Sequence, residues 1–166
     1  MRTVATRSET AWQVLSTVLD PEVPVLSVLD LGLVRGVHEH ADTLEVVLTP
    51  TYSGCPATEV IEQQIRAALQ GAGLAPLQIT WQRAPAWTTD WISEDGKRKL
   101  RDYGIAPPGP AGDVVPLRFV PRAPKLDCPR CGSANTERLS AFGSTACKAT
   151  YRCRACGEPF EHFKAI

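Results

Sequence analysis

Two copies of a Cys-x-x-Cys-Gly pattern near the C-terminus constrain this chain more than any other feature. The pattern occupies residues 128–132 and 153–157, with 21 residues between the two cysteine pairs. The glycine permits the tight turn that aims two sulfurs at one ion, and four thiolates bind Zn²⁺ tetrahedrally. A module this small cannot fold on its own core, so metal binding would supply its folding energy. We therefore predict a structural zinc ribbon whose ligands are Cys128, Cys131, Cys153 and Cys156.

The chemistry of the cysteines leaves other interpretations open. The six cysteines could form disulfides, but the paired spacing and the lack of a signal segment favour reduced thiols on a metal. Four cysteines alone do not name the metal, so rubredoxin-like iron and an iron-sulfur cluster stay alternatives to zinc. Cys147 is surplus to a tetrahedral site, and we expect it to be a small buried residue. Because all four positions around the ion would be occupied, we expect no catalysis at the ribbon.

Length and charge place the ribbon beside one ordinary domain. A chain of 166 residues accommodates one domain plus a small appended module, and 43% hydrophobic with 22% charged residues is typical of a globular protein. No apolar stretch approaches the roughly 20 residues that span a bilayer, so we expect no membrane segment and a cytoplasmic location. Residues 1–121 carry a net charge of −4 and residues 122–166 one of +4. The cationic part could meet an acidic protein, a nucleic acid or the chain's own acidic domain.

Hydrophobic periodicity ahead of the ribbon predicts a helix, two strands, a helix and a strand. The predicted ranges are 8–19 with Ser8 as the cap, 32–40, 43–49, 56–70 and 77–81. The second strand lacks clean alternation, so we expect burial on both of its faces. The second helix carries one apolar stripe, formed by Ala57, Val60, Ile61, Ile65 and Ala68. This order of elements predicts a compact α+β domain.

The region between this domain and the ribbon is rich in proline. Ser93-Glu94-Asp95 is typical of the capped start of a short helix, which would end near Gly104. Six prolines between residues 106 and 124 indicate a linker, with an embedded edge strand at 114–120. We therefore divide the chain into an α+β domain over residues 1–105, a proline-rich linker over 106–124 and the zinc ribbon over 125–166.

Cys55 is the second candidate site. Pro56 favours the first position of a helix, so the Cys55 thiol would lie near the helix N-cap, where backbone N–H groups stabilise a thiolate. A lowered pKa would make this sulfur a better metal ligand or nucleophile, but a small buried residue is an equal interpretation. A papain-type hydrolase with Cys55 as its nucleophile would also need a histidine to orient the thiol. Of the candidates His38, His40 and His162, two lie in the predicted hairpin and one in the ribbon, so we do not expect hydrolysis.

Several sequence runs carry a resemblance to known families. The runs at residues 20–34 (Asp-Pro-Glu-Val-Pro-Val-Leu-Ser-Val-Leu-Asp-Leu-Gly-Leu-Val) and 48–56 (Leu-Thr-Pro-Thr-Tyr-Ser-Gly-Cys-Pro) resemble the SufT-like family of metal-sulfur cluster biosynthetic proteins. With the segments at 85–92, 103–108 and 142–148, the whole chain resembles the PaaD-like accessory proteins of phenylacetyl-CoA epoxidase systems. The fold implied is a SufT-like α+β domain followed by a zinc ribbon.

The resemblance also implies a task in metal delivery. Cys55 would match the SufT-like reactive cysteine, and Asp20 and Asp30 its acidic loop positions, so a transient iron-sulfur cluster or iron could bind there. PaaD-like proteins serve a multicomponent oxygenase of aerobic phenylacetate breakdown without performing the epoxidation, so the implied partners are its oxygenase or reductase subunits. A maturation factor is the first hypothesis. The alternatives are a structural subunit of the oxygenase and a zinc-ribbon nucleic-acid module; we expect no nucleic-acid binding, and a homodimer stays open.

Overall fold

The computed structural model describes residues 6–51, 57–111 and 125–166. The chain divides into two units, Met1–Ser93 and Glu94–Ile166. The helices of the described residues are α1 (Arg7–Leu15), α2 (Ala57–Gly71) and α3 (Glu94–Tyr103). The strands are β1 (Val34–His40), β2 (Thr43–Leu48), β3 (Leu77–Trp81), β4 (Ile105–Ala106), β5 (Thr136–Ser140), β6 (Lys148–Cys153) and β7 (Pro159–Phe163). None of the described helices is long and apolar enough to cross a membrane.

The predicted α+β class is confirmed. In the first unit the elements follow the predicted order of helix, strand, strand, helix and strand. β1 and β2 form an antiparallel hairpin, and β3 pairs in parallel with β2 after α2 has crossed over the sheet. The resulting order β1-β2-β3 makes β2 the central strand.

The first helix begins with a cap that the sequence interpretation missed. Thr6 is the N-cap, since its hydroxyl accepts a hydrogen bond from the Glu9 N–H (3.1 Å) while Glu9 Oε2 accepts one from the Thr6 N–H (2.8 Å). This reciprocal pair is a capping box, so the prediction of Ser8 as the cap was wrong. α1 also ends at Leu15, short of the predicted residue 19, and the Ser16 hydroxyl there donates to the Gln13 carbonyl (2.6 Å).

Burial along the central strand β2 alternates strictly. Leu44, Val46 and Leu48 are fully buried, whereas the residues between them are partly exposed. The prediction that both faces of this strand are buried was therefore wrong. The outer face carries Glu45, whose carboxylate accepts a hydrogen bond from the Thr80 hydroxyl on β3 (2.7 Å). One buried face with period-two alternation is what a sheet covered on one side requires.

The apolar stripe of α2 is shifted from the predicted one. The side chains that it buries recur at every fourth position and are Ala57, Ile61, Ile65 and Leu69. Val60, which we had placed in the stripe, is 42% exposed, and Ala68 is half-buried. Leu69 instead fills the last turn, because the stripe drifts slowly around a helix of 3.6 residues per turn.

The second unit joins a helix to a four-stranded sheet. α3 ends at Tyr103, and Gly104 follows with a φ of +91°, a conformation that favours glycine. The sheet has the order β4-β7-β6-β5, in which β4 pairs in parallel with β7. Because β4 pairs with the ribbon strand β7 and directly follows α3, both α3 and β4 group with the ribbon. The sequence-based division instead placed residues up to 105 in the first domain. The predicted edge strand at 114–120 lies outside the described residues.

Aromatic rings fill the core of the ribbon. Tyr151 stacks on Phe160, with ring centroids 5.8 Å apart, and meets the His162 ring edge to face at 5.6 Å. His162 is only 4% exposed, and within the described residues its Nε2 has no hydrogen-bond partner. Burial lowers the pKa of His162 to about 4, and the positive charge of Lys164 acts in the same direction. The folded ribbon therefore holds this imidazole in its neutral form.

The burial pattern of α2 predicts unequal costs for two aliphatic truncations in that helix. We expect Ile65→Ala to lower the free energy of unfolding by about 2 to 5 kcal/mol, because it opens a cavity in a fully buried site. Val60→Ala, the matched control on the exposed face, should change it by less than about 0.5 kcal/mol. Urea unfolding followed by circular dichroism measures both values. A loss at Val60 as large as that at Ile65 would contradict the observed stripe.

The neutral state of His162 predicts a pH-dependent stability. The unfolded chain protonates this ring below pH 6.5, whereas the folded ribbon does so only near pH 4, so stability is complete above 6.5 and falls between those values. His162→Phe should remove this component. The wild-type minus variant difference in the free energy of unfolding should change by on the order of 3 kcal/mol across that window. Protonation of other groups cancels in this difference, and a difference independent of pH would refute the assignment.

Candidate metal centre

The four predicted ligand cysteines converge at one end of the ribbon. The Sγ atoms of Cys128, Cys131, Cys153 and Cys156 all lie within 4.8 Å of one another. Cys128 and Cys156 are 3.8 Å apart at sulfur, and Cys131 and Cys153 are 3.6 Å apart. A tetrahedron of sulfurs around an ion at about 2.3 Å has edges of about 3.8 Å. The donor set and its spacing therefore fit a four-thiolate metal site.

The two halves of this site have the same backbone construction. Gly132 and Gly157 have φ values of +75° and +81°, which favour glycine. Each glycine N–H donates to the carbonyl of the first cysteine of its pair, Cys128 (2.8 Å) or Cys153 (3.0 Å). The turn after each pair thus closes back on its first cysteine and aims both sulfurs to one side. Two equivalent turns facing each other produce the cluster.

Backbone N–H groups also favour the thiolate form at one ligand. The Cys156 N–H points at the Cys153 sulfur at 3.5 Å. That hydrogen bond lowers the pKa of the Cys153 thiol to about 7. A thiol that ionises near neutral pH binds a cation at a smaller cost of deprotonation.

Cys147 lies apart from the cluster. It is buried, and its sulfur is 3.0 Å from the Thr145 hydroxyl. It is not among the group of four sulfurs that converge. Its environment is that of a small buried residue, as the sequence predicts.

The two predicted acidic ligands of the first unit, Asp20 and Asp30, are both buried and both organise their own loop. Asp20 Oδ1 accepts hydrogen bonds from the N–H groups of Glu22 (2.8 Å) and Val23 (2.7 Å). The Asp20 N–H donates to the Leu26 carbonyl (2.8 Å), which closes the segment that contains both prolines. Asp20 thus fixes the first turn of this loop through backbone contacts.

Asp30 organises the second half of the same loop with two serines. Its Oδ2 accepts from both the N–H and the hydroxyl of Ser27 (2.9 Å each), and its N–H donates back to that hydroxyl (3.0 Å). Its Oδ1 accepts from the Ser93 hydroxyl (3.2 Å). The sequence interpretation missed both serines, although Ser27-x-x-Asp30 has the reciprocal spacing of a capping box. Only the Ser93 contact, from a segment far along the chain, had no local signal.

Cys55, the third residue of this candidate site, lies outside the described residues. In sequence it falls between the end of β2 and the start of α2. The structure thus places Asp20 and Asp30 in one hydrogen-bonded loop, and the joining of Cys55 to them stays a prediction.

Two tryptophans of the first unit, Trp87 and Trp91, serve packing. The buried Trp87 ring donates from Nε1 to the Leu31 carbonyl (2.8 Å). Gly32 has a φ of +68°, and a Cβ there would lie 2.6 Å from the Trp91 carbonyl oxygen, so the backbones approach closely. The Arg35 guanidinium lies 3.7 Å over the Trp91 ring. The segment at 85–92 is therefore packed against the end of the acidic loop.

Known proteins match both units of this chain. The family model described as PaaD zinc beta ribbon domain matches residues 118–164, and the one described as iron-sulfur cluster assembly protein matches residues 8–75. Over 155 residues the chain is 49% identical to a protein of Escherichia coli strain K12 that is named as a subunit of a putative 1,2-phenylacetyl-CoA epoxidase. That alignment covers 93% of this chain and 91% of the relative.

Solved structures match part of the chain. The crystal structure of a domain of unknown function, DUF59, from Bacillus anthracis has a TM-score of 0.53 at 23% identity, covering 57% of this chain and 91% of that one, and shows the fold alone. A solution structure of Rv1466 from Mycobacterium tuberculosis, a protein associated with Fe-S complex assembly and repair, has a TM-score of 0.36 at 37% identity, covering 62% and 92%. Together with the ribbon match, the identity to the E. coli protein over nearly the whole length shows that this chain belongs to the PaaD family of phenylacetyl-CoA epoxidase systems.

Proposed function

We propose that this chain is an accessory component of a phenylacetyl-CoA epoxidase system that assists the insertion of iron or an iron-sulfur cluster into an oxygenase or reductase subunit. The observation that carries the proposal is the 49% identity to an E. coli protein named as part of that epoxidase. The match of residues 8–75 to an iron-sulfur cluster assembly protein supports the maturation role. In this proposal the chain works in the cytoplasm and does not itself perform the epoxidation.

The ribbon has a structural part in this proposal, with zinc as its ion. Four thiolates satisfy the tetrahedral preference of Zn²⁺ and leave no open position for substrate. The ribbon core is small: its main cluster has six buried residues, with Tyr151 and Phe160 among them. A module with so small a core obtains most of its folding free energy from metal binding.

Metal analysis tests the zinc assignment. We expect the purified protein to contain one zinc per chain and to be colourless, and Cys153→Ala to lose most of that zinc because it removes a fully buried ligand. Cys147→Ala, a matched removal of a buried thiol outside the cluster, should keep it. Inductively coupled plasma spectrometry and a visible spectrum of anaerobically purified protein measure both outcomes. Bound iron together with a visible absorbance band, both lost in Cys153→Ala, would mean that the four cysteines bind iron and that the zinc assignment is wrong.

In this proposal the iron or cluster is cargo, and Cys55 is the residue that holds it. A thiolate near a helix start binds iron, and a site with few thiolate ligands holds it weakly enough to release it to a recipient with more of them. The loop that carries Asp20 and Asp30 is rigidly hydrogen-bonded, so any acidic group that it presents is held in place. Delivery needs no redox step, because the metal passes from one set of ligands to another.

Removing the Cys55 thiol tests delivery. In cells that depend on this chain, we expect Cys55→Ala to lower both the epoxidase activity and the iron content of the recipient subunit by about tenfold or more, as is usual when a metal-binding contact is lost. Cys147→Ala serves as the control and should leave both values unchanged. Wild-type values in Cys55→Ala would remove the carrier role.

A second candidate function is that of a permanent structural subunit, which the name of the E. coli relative favours. The two functions differ in stoichiometry. A maturation factor should be substoichiometric in the active purified oxygenase, whereas a structural subunit should be present at a fixed ratio. Quantitative mass spectrometry of the complex measures this ratio.

A further inference from the structure

The loop between β5 and β6 of the ribbon is braced by many internal contacts. The Gly143 N–H donates to the Lys148 carbonyl (2.7 Å), and the Phe142 N–H donates to the Ser140 hydroxyl (3.1 Å). The Lys164 ammonium donates to the Ala141 carbonyl (3.2 Å). These contacts hold residues 140–148, which we name the tip loop, in one conformation.

One carboxylate, that of Glu161 on β7, is the centre of this bracing. It accepts from the Ser144 N–H (2.6 Å) and hydroxyl (3.2 Å) and pairs with the ammonium of Lys148 (3.1 Å), which is 4% exposed. Burial acts to raise the pKa of Glu161, but these donors outweigh it and hold the pKa below its ordinary value. At Gly143 a Cβ would lie 2.6 Å from Glu161 Oε1, so a larger residue there would displace the carboxylate from its present position.

Phe142 is the large apolar side chain that this segment leaves exposed. Gly143, Ser144, Cys147 and Lys148 pack or hydrogen-bond inside the ribbon, whereas the Phe142 side chain is 67% exposed. Leu139, just ahead of the tip loop, is 56% exposed. An exposed phenylalanine costs free energy in water, and here the surrounding loop is rigid enough to present it at a fixed place. A rigid aromatic anchor of this kind is typical of the centre of a protein interface.

One positive charge lies directly over this anchor, and a second lies on the adjoining strand. The Lys164 ammonium lies 4.8 Å over the Phe142 ring. Arg138 projects from β5 as an exposed side chain, and in the described part of the chain neither cation forms a salt bridge. Residues 122–166 as a whole carry a net charge of +4. Such a surface is complementary to an acidic one, which would add steering and specificity to the apolar contact.

We propose that the tip loop, with Phe142 as its anchor, Lys164 over the ring and Arg138 on the adjoining strand β5, is the surface through which this chain docks on an acidic protein component of the epoxidase system. The choice of partner rests on the proposed function above. The phenyl ring enters an apolar pocket of the partner, and the two cations meet carboxylates at its rim. Because the loop is already ordered by Glu161, little conformational entropy is lost on binding.

Binding of the purified full-length chain to each purified oxygenase and reductase component, by calorimetry at low and high salt, tests this proposal. We expect one acidic component to bind, and Phe142→Ala to weaken that binding by about 30-fold or more, as for an interface hot spot. Lys164→Glu and Arg138→Glu should weaken it less and reduce its salt dependence. Gly143→Ala, which keeps the phenyl ring but collides with Glu161, should also weaken it.

Controls separate docking from folding and from delivery. Tyr103→Ala removes another exposed aromatic ring of the same unit (53% exposed) and should change the affinity by less than about threefold. Metal content and circular dichroism of Phe142→Ala should equal those of the wild type. Cys55→Ala should bind normally, so a failure of the delivery role leaves the docking result intact.

Four outcomes overturn the proposal. These are binding of Phe142→Ala at wild-type affinity, no binding of the wild type to any component, self-association of the wild type that Phe142→Ala abolishes, and salt-sensitive binding of a single-stranded oligonucleotide that depends on Phe142. The last two would assign the tip loop to a second copy of this chain or to a nucleic acid.

Discussion

The convergence of four cysteine sulfurs within 4.8 Å is the constraint on which the second unit depends. Thiols have no reason to gather so closely unless an ion holds them, and their spacing is that of a tetrahedral thiolate site. The cluster fixes the two turns that bear it, and those turns set where β5 begins and where β6 ends. Cys128 and Cys153 are themselves part of the buried core, so the metal site and the hydrophobic core are one structure.

Carboxylates that accept backbone N–H groups have the corresponding role in the loops. Asp20 and Asp30 hold the two halves of the loop before β1, and Glu161 holds the tip loop of the ribbon. Each accepts backbone N–H groups that would otherwise be unpaired, which is a strong, charge-assisted contact. A carboxylate that the sequence marks as a candidate metal ligand can thus hold the backbone of its loop in place through hydrogen bonds. Binding of iron or a cluster by Asp20 and Asp30 stays a prediction, while their hydrogen bonds show that both residues hold the loop in shape.

In the proposed docking, the tip loop combines an ordered backbone with an exposed phenyl ring. A flexible loop with an exposed phenylalanine would lose conformational entropy when it bound a partner. A loop that Glu161 and Lys148 already order loses less. Its sequence, Phe-Gly-Ser-Thr-Ala-Cys-Lys, first stood out as a marker of family resemblance. The contacts give physical reasons for the glycine, the serine, the cysteine and the lysine, and the proposed docking would use the exposed phenylalanine.

Cysteine spacing and hydrophobic periodicity determined the four-thiolate cluster, the α+β class and the order of elements, because turns and amphipathic faces depend on residues close in sequence. The cap of the first helix was readable in the same way, since the box that makes Thr6 and not Ser8 the cap joins Thr6 to Glu9 three residues on. Tertiary contacts decided the rest. The pairing of β4 with β7 and the Ser93 contact of Asp30 join segments far apart along the chain. No local pattern encodes such pairings, since they form only when the packed core brings those segments together.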